Sequence, residues 1–409
     1  MAASRRVQAM TEAVRGLYRR NRQQGVASWC GLRYDFVCPS MGTYPFQWFW
    51  DSCFHTIVLA HFDRERARQE IRSLLANAQP DGFVGHVTFW QRERFEALLA
   101  TYSIAYRTPY LSDCIQPPVL AEAVAAAAEG PGGDAFLAEV LPRVRRYYEW
   151  LDANRDPDRD GLIATLQPDE SGLDHTPKYD AYLGISRPDH AEFTAAWERV
   201  AGPYAAVGRD QAAMFALDRF IVEDTLVNTI YAENARVLAD LLRRSGDVEA
   251  ASAWARRASA TTAALVAKCY DAASGLFFDL AGAREAPLRV NTVSALMPIL
   301  LPDLPREPVE AIVAHLCDPD EYAAPYPVPS VAMNEPAYLA PSTESTLVYR
   351  GPTWMNTNWY LSRGLRRHGH AALARRIEEA SAALVEREGF REYYDPRTGE
   401  GFGARDFAW

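Results

Sequence analysis

The sequence predicts an all-α protein, a ring of paired helices with long loops at one end, some of them carrying short β-hairpins. Three observations lead there. About eleven segments place apolar residues at helical spacing. Most of these segments come in pairs joined by short loops. No βαβ alternation and no GxGxxG opening a helix is present, so a parallel sheet is not expected.

The elements follow in order. A first helix is expected over 4–22, then the pairs 50–62 with 64–77, 117–129 with 134–153, 221–243 with 246–268, 290–301 with 306–316, and 353–369 with 371–386. Within 134–153, Phe136, Leu137, Val140, Leu141, Val144 and Leu151 share one face, and Asp134 is placed to cap the start. In 371–386 the same spacing carries Leu373, Ile377, Ala380 and Leu384, and Gly389 is the stop signal. The pairs share no strict repeat, which excludes a solenoid of identical units. The aromatic, Pro, Gly and acidic residues concentrate in 30–50, 78–116, 154–220, 318–352 and 388–409. Such loops on a rigid scaffold are where binding and chemistry sit. Residues 1–409 are read as a single domain with 154–220 as a long loop insertion, and a last ring helix is expected to lie beyond Trp409.

Composition excludes several functions. With 43 Lys and Arg against 53 Asp and Glu, the net charge is −10, so neither a nucleic acid nor an anionic membrane surface is an expected partner. No apolar run reaches the length of a membrane span, and MAASRRVQAMTEAV lacks the apolar core of a signal peptide. The 6 cysteines are scattered without a CxxC pair, which fits a reduced, cytoplasmic protein; nothing in the sequence decides between a monomer and a homo-oligomer. There is no P-loop, HExxH or GxSxG. Lys178 and Lys268 are the only lysines, and the histidines form no ligand-spaced set, so neither a cofactor nor a metal is expected. DPDRDGL at 156–162 opens like a calcium loop, but its twelfth position is Gln167 where a bidentate Glu is needed, and a polar Asx turn is the favoured reading.

What stands out is carboxylates set among aromatics and glycines. In YPFQWFWDSCFH, 44–55, Asp51 is the only acid beside Tyr44, Trp48 and Trp50. Apolar sugar faces lie on aromatic rings while sugar hydroxyls want carboxylates; the alternative is a core segment with Asp51 as a helix cap. QPDESGLDHTPKYD, 167–180, holds Asp169, Glu170 and Asp174 in a Gly- and Pro-punctuated loop, where an acid can be partly desolvated and hold its proton. FREYYDPRTGEGFGARDFAW, 390–409, sets Glu392 before a glycine-rich turn. YRGPTWMNTNWY, 349–360, brings Tyr349, Arg350 and Trp354, and SDCIQPPVLA, 112–121, brings Gln116.

Taken in order, WDSCFH, ESGLD, RGPTW with NTNWY, and EYYDPRTGEGFGARDFAW resemble the motifs of the (α/α)6-barrel glycoside hydrolases of family 63, over about residues 30 to 409. In length the chain is similar to the compact bacterial branch that includes mannosylglycerate and glucosylglycerate hydrolases. The resemblance implies an inverting α-glycosidase acting on a small glycoside, with Asp174 as general acid and Glu392 as general base. It implies that Asp51, Trp48, Gln116, Arg350 and Trp354 hold the sugar and that Tyr44 lies over it; Trp50 and Tyr349, in the same segments, are further candidate substrate contacts read from the residues. Relatives carry Trp where this chain has Asp169, and Tyr-Trp where it has Val348-Tyr349, so the pocket wall differs.

Inversion needs two carboxyl groups about 6.5–9.5 Å apart, leaving room for the attacking water. A glycerate aglycone adds a carboxylate of its own, for which Arg209 is the expected cation. The alternative enzyme readings are a disaccharide α-glucosidase or a trehalase-like hydrolase. A sugar isomerase or epimerase would instead need His55, His86 and His175 to converge.

Overall fold

The computed structural model describes residues 2–91, 106–108, 110–345 and 347–409, and the side chains of all of these except 2–4 and 106–108. Five successive inner elements pack side by side: Phe49–Ala60, Leu120–Ala127, Thr225–Arg244, Val293–Leu300 and Met355–Arg367. Outside them lie Arg64–Ala76, Gly133–Arg155, Val248–Ala264, Arg306–Cys317 and Ala371–Glu388. The first helix, Ala2–Arg20, bridges the two ends of the series. Its Tyr18 packs against His55 and Phe62 of the first pair, and its Arg6 pairs with Glu386 of the last. Phe54 meets Trp359 and Tyr360, so the fifth inner helix reaches the first. One large apolar core runs through all of these elements. Among the described residues no helix is long and apolar enough to cross a membrane.

Sequence chemistry explains most boundaries. The carboxylates of Asp63, Asp224 and Asp247 each accept a backbone N–H three residues on and so satisfy a donor left over at the helix start. Gly389 closes the last helix with φ of +73°. Asp134 does not cap as expected: the cap position is Gly132, and Asp134 lies in the first turn, paired with Arg244.

Two expectations are corrected by packing. The 290–301 segment forms a 3₁₀ helix over Val293–Leu300, not an α-helix. Pro298 supplies no N–H for the ladder, and every residue of the element is buried, so an apolar run could not reveal its period. Close approach matters there: a Cβ on Gly364 would come within 2.5 Å of the Ile299 carbonyl. The 154–220 stretch is also more than a loop. It folds into short helices, Asp180–Leu183, His190–Ala201 and Gln211–Ala216, around a small core of its own that includes Leu166, Tyr179, Val200, Tyr204, Met214 and Phe220. The signal for the longest of them was present: Asp189 caps it, and Glu192 turns back to accept from Ser186 N and Arg187 N.

Short sheets occupy the loop end. Arg22–Val26 pairs with Arg33–Val37, and Arg391–Tyr394 with Gly401–Arg405. A four-stranded sheet runs in the order Gln47–Trp48, Val87–Thr88, Leu111–Ser112, Tyr106–Thr108. The 391–405 hairpin is pinned to the fifth inner helix, because Thr353 and Tyr394 exchange both backbone hydrogen bonds.

Candidate active site

A cavity of about 420 Å³ opens at the loop end. Its first wall comes from the entry to the first inner helix. Trp48 sits in the extended cap position, its strand fixed by Val87–Thr88 and the next residue tied to the His86 carbonyl. The rings of Tyr44 and Trp48 meet edge-on at 6.2 Å. Asp51 lies in the first helical turn and lines the cavity. The helix dipole favours its charge, but burial wins and lifts its carboxyl to about 8, with Asp174 and Glu392 adding repulsion. Gln116 accepts from Trp50 N at 3.0 Å and lines the cavity beside that ring. Trp48 and Trp50 therefore face a cavity at the end of the ring, as a sugar subsite requires.

The second wall carries the acid. Pro168–Ser171 makes a 3₁₀ turn ending at Gly172, where φ is +69° and a Cβ would come within 2.6 Å of the Trp50 ring. Of the three acids expected there, Glu170 points away and is structural. It takes a bidentate pair from Arg155 at 2.6 and 2.7 Å and accepts from Ile115 N and Leu166 N. Asp169 and Asp174 line the cavity. Among the described residues no side chain or backbone donor bonds the Asp174 carboxylate, which is open to the cavity although enclosed by its walls. That enclosure, and then the Glu392 charge, raise it to about 6. Asp169 is raised to about 7 by burial and by Asp174.

Glu392 stands on the other hairpin. Tyr44 OH donates to its Oε1 at 3.0 Å and Ala404 N to its Oε2 at 2.7 Å. Gly403 explains the glycine of the turn, since a Cβ there would lie 2.5 Å from Oε2. Burial raises Glu392 on balance, and the donors from Ala404 and Tyr44, with Arg391, offset only part of that rise. Tyr349 stacks on Trp354 at 4.0 Å with 9° between the rings, and both line the cavity.

Two expected ligands lie elsewhere. Arg350 is nearly fully buried and does not line the cavity. It donates to the His175 carbonyl at 2.8 Å and pairs with Asp180 at 2.5 Å, so it holds the acid-bearing loop. Arg209 is likewise turned from the cavity, with Asp113 holding its guanidinium at 2.8 Å. A carboxylate, buried Asp113 or half-buried Asp180, claims each cation before a substrate can.

The proton-transfer histidines do not converge. His55 is buried in the core against Tyr18 and bonds the Ala408 carbonyl, whereas His86 and His175 line the cavity. The 156–162 turn has the expected Asx hydrogen bond, Leu162 N to Asp160. Asp158, Asp160, Glu223 and Glu285 gather within 4.8 Å, and the Lys268 ammonium joins them through Asp160 and Glu285. Sequence reading missed the wall made by His190, Phe193, Thr194 and Trp197, because it took their helix for loop. It also missed Phe407 and Trp409, whose rings stack at 5.5 Å beside the cavity.

The model for the mannosylglycerate hydrolase MGH1-like glycoside hydrolase domain matches residues 44–409. A mannosylglycerate hydrolase from Thermus thermophilus is 31% identical over 406 residues, covering 92% of this chain and 95% of that protein. A glucosylglycerate hydrolase from Mycolicibacterium hassiacum is 28% identical, with 90% of each chain covered. The crystal structure of a family 63 mannosylglycerate hydrolase from Thermus thermophilus in complex with Tris and D-glycerate superposes with a TM-score of 0.84 at 27% identity, over 97% of both chains.

Proposed function

The chain belongs to the mannosylglycerate hydrolase MGH1-like family of glycoside hydrolases, and from that membership we propose that it cleaves an α-mannoside or α-glucoside of glycerate with inversion. One observation carries the reading of the chemistry. Two carboxylates from different walls share the cavity; one is held by two donors, and the other takes none among the described residues.

Asp174 is the general acid. An acid must hold a proton at working pH and be free to give it to the leaving oxygen, and its raised pKa and lack of donors meet both needs. Glu392 is the general base. Donors from Tyr44 and Ala404 favour its ionised form and aim its lone pairs, so it can take the proton of a water attacking the anomeric carbon. The water's oxygen bonds that carbon as the glycosidic bond breaks and Asp174 protonates the departing glycerate. Asp51, Gln116 and the rings of Trp48, Trp50, Tyr349 and Trp354 hold the sugar between the two.

The enzyme works in the cytoplasm on this reading, supported by six cysteines of which none forms a disulfide. The test of mechanism is the anomer first released from 2-O-α-mannosylglycerate, followed by anomeric proton resonances before mutarotation. The β-anomer is expected; an initial α-anomer would mean retention and would remove Glu392 as the base.

A further inference from the structure

The acid-bearing unit leaves the ring and returns to it at one cluster of carboxylates. Asp158 and Asp160 lie in the turn that opens the 154–220 stretch, and Glu223 lies in the strand Val222–Glu223 that follows it. Glu285 stands on the turn between the strands Asp279–Ala281 and Ala286–Leu288. We propose that this cluster is a divalent-cation site which the chain fills with its own cation, the ammonium of Lys268, and that removing the ammonium opens it to calcium.

Backbone pairing brings the four carboxylates together. Thr165 and Val222 exchange both hydrogen bonds, and Glu223 pairs with Leu280 on the neighbouring strand. One oxygen from each carboxylate lies within 4.8 Å of the others, as oxygens must that surround a single ion at about 2.3–2.6 Å. The turn carries the D-x-D-x-D-G spacing of a calcium loop over 156–161. Gln167, at the position of the loop's glutamate, instead donates to Asp113, so the later carboxylates come from Glu223 and Glu285. Arg257 withdraws Asp156 from the set, pairing with it at 2.8 Å.

A second observation points to a cation at the centre. Glu223 is 7% exposed, and its Oε2 is buried with no hydrogen-bond partner among the described residues. That oxygen is aimed into the cluster, because the Lys268 ammonium stands 3.7 Å from it while lying 2.8 Å from Glu285 and in contact with Asp160. Burial, then the charges of Glu285, Asp158 and Asp156, raise the Glu223 carboxyl to about 8. The cluster therefore holds more negative charge than its other neighbours offset.

The choice of cation fits the place. Lys268 is one of only two lysines in a chain that otherwise uses arginine, and the other, Lys178, also lies between two carboxylates. An ammonium is a compact point charge with three donors, where a guanidinium is a planar fork, so it can stand where a spherical ion would. Its tether keeps it at high effective concentration against any free ion. Lys268 belongs to the turn Leu265–Cys269 that continues the outer helix Val248–Ala264, so the clasp ties both ends of the acid-bearing unit to the ring.

The experiment compares thermal melts and calorimetric calcium titrations of the full chain, in EDTA and in millimolar calcium chloride. The wild type should melt at one temperature in both and take up no calcium. Lys268→Met keeps the aliphatic stem and removes the charge. In EDTA it should melt several degrees below the wild type, because the carboxylates then repel one another unrelieved. Calcium should raise its Tm by about 3 °C, the shift that a ligand at a hundred times its Kd gives a chain of this size, with one ion bound per chain. Adding Asp160→Asn to Lys268→Met should abolish that response. If Lys268→Met does not accumulate without metal, refolding in calcium should recover it, and failure there as well overturns the proposal. Calcium uptake or stabilisation in the wild type overturns it, since the ammonium then does not fill the site. A folded Lys268→Met variant that ignores calcium overturns it too and leaves Lys268 in an ordinary ion-pair network.

Discussion

The two walls of the cavity are held by different means. The base wall is part of the ring. Glu392 sits on a hairpin that shares backbone hydrogen bonds with Thr353, and its carboxylate has a donor at each oxygen. The acid wall is an added unit with a small core of its own, moored to the ring by two buried ionic anchors. One is Arg155 with Glu170, both fully buried; the other is Lys178, which reaches Asp224 at 2.5 Å and Asp279 at 2.9 Å. The difference separates tasks. On the proposed reading, the ring side fixes the sugar and the water, while the moored side carries the proton donor and meets the leaving group.

The largest expected effect would sharpen this contrast at the two carboxylates. Asp174→Asn and Glu392→Gln should each cut kcat by about 10²–10⁴-fold, the usual contribution of a general acid or base, with a much smaller change in KM. In the wild type, kcat/KM should fall as pH rises through about 6, where Asp174 loses its proton, and that alkaline limb should be absent in Asp174→Asn. Steady-state kinetics across pH checks both statements. A loss in KM alone would mean that these groups bind substrate without moving protons.

The mooring offers the next test. Glu170→Ala leaves Arg155 buried without its partner, which costs about 3–5 kcal/mol. Denaturant unfolding should register that loss, and kcat should drop because Asp174 follows four residues on in the same loop. Stability lost with kcat intact would mean that the acid is aimed by something other than this anchor.

The smallest effect concerns Asp169. Its folded pKa, about 7, lies above the unfolded carboxylate value. The folded state therefore binds the extra proton, and the stability this gives is full below about pH 4 and lost as pH rises through 7. Asp169→Asn removes the charge, so it should raise Tm by about 1–2 °C at pH 8, with the gain fading toward pH 4. Thermal melts at the two pH values would show it. A gain independent of pH would mean that packing, not charge, is responsible.

Much of the ring was legible. Ten of the eleven expected helical segments contain an α-helix, because one apolar face against a single core imposes helical spacing on the sequence. The exception, 293–300, is buried on every side, so its spacing carried no information. The 190–201 helix went unread for the opposite reason. Its buried face is only Ala196, Val200 and Ala201, and the rest mixes Phe193 and Trp197 with small and charged residues, a pattern with no apolar stripe. Asp51, Asp174 and Glu392 were legible as acids among glycines and aromatics. The glycines beside two of them have steric causes in Trp50 and in Glu392 itself.

By itself the sequence determined which residues can do acid–base chemistry and stack on sugars, because those properties belong to side chains and to local turns. Which of the charged residues remain available was decided only by the tertiary structure. Glu170 stands with Asp174 in one acidic loop and Arg209 and Arg350 were candidate ligands, yet Arg155, Asp113 and Asp180 each claim one of them. Burial makes such pairs exclusive: a charge withdrawn from water must be compensated where it stands, and compensation fixes its direction. The same enclosure without a partner raises the Asp174 carboxyl to about 6 at the cavity wall, a shift that packing confers and composition does not.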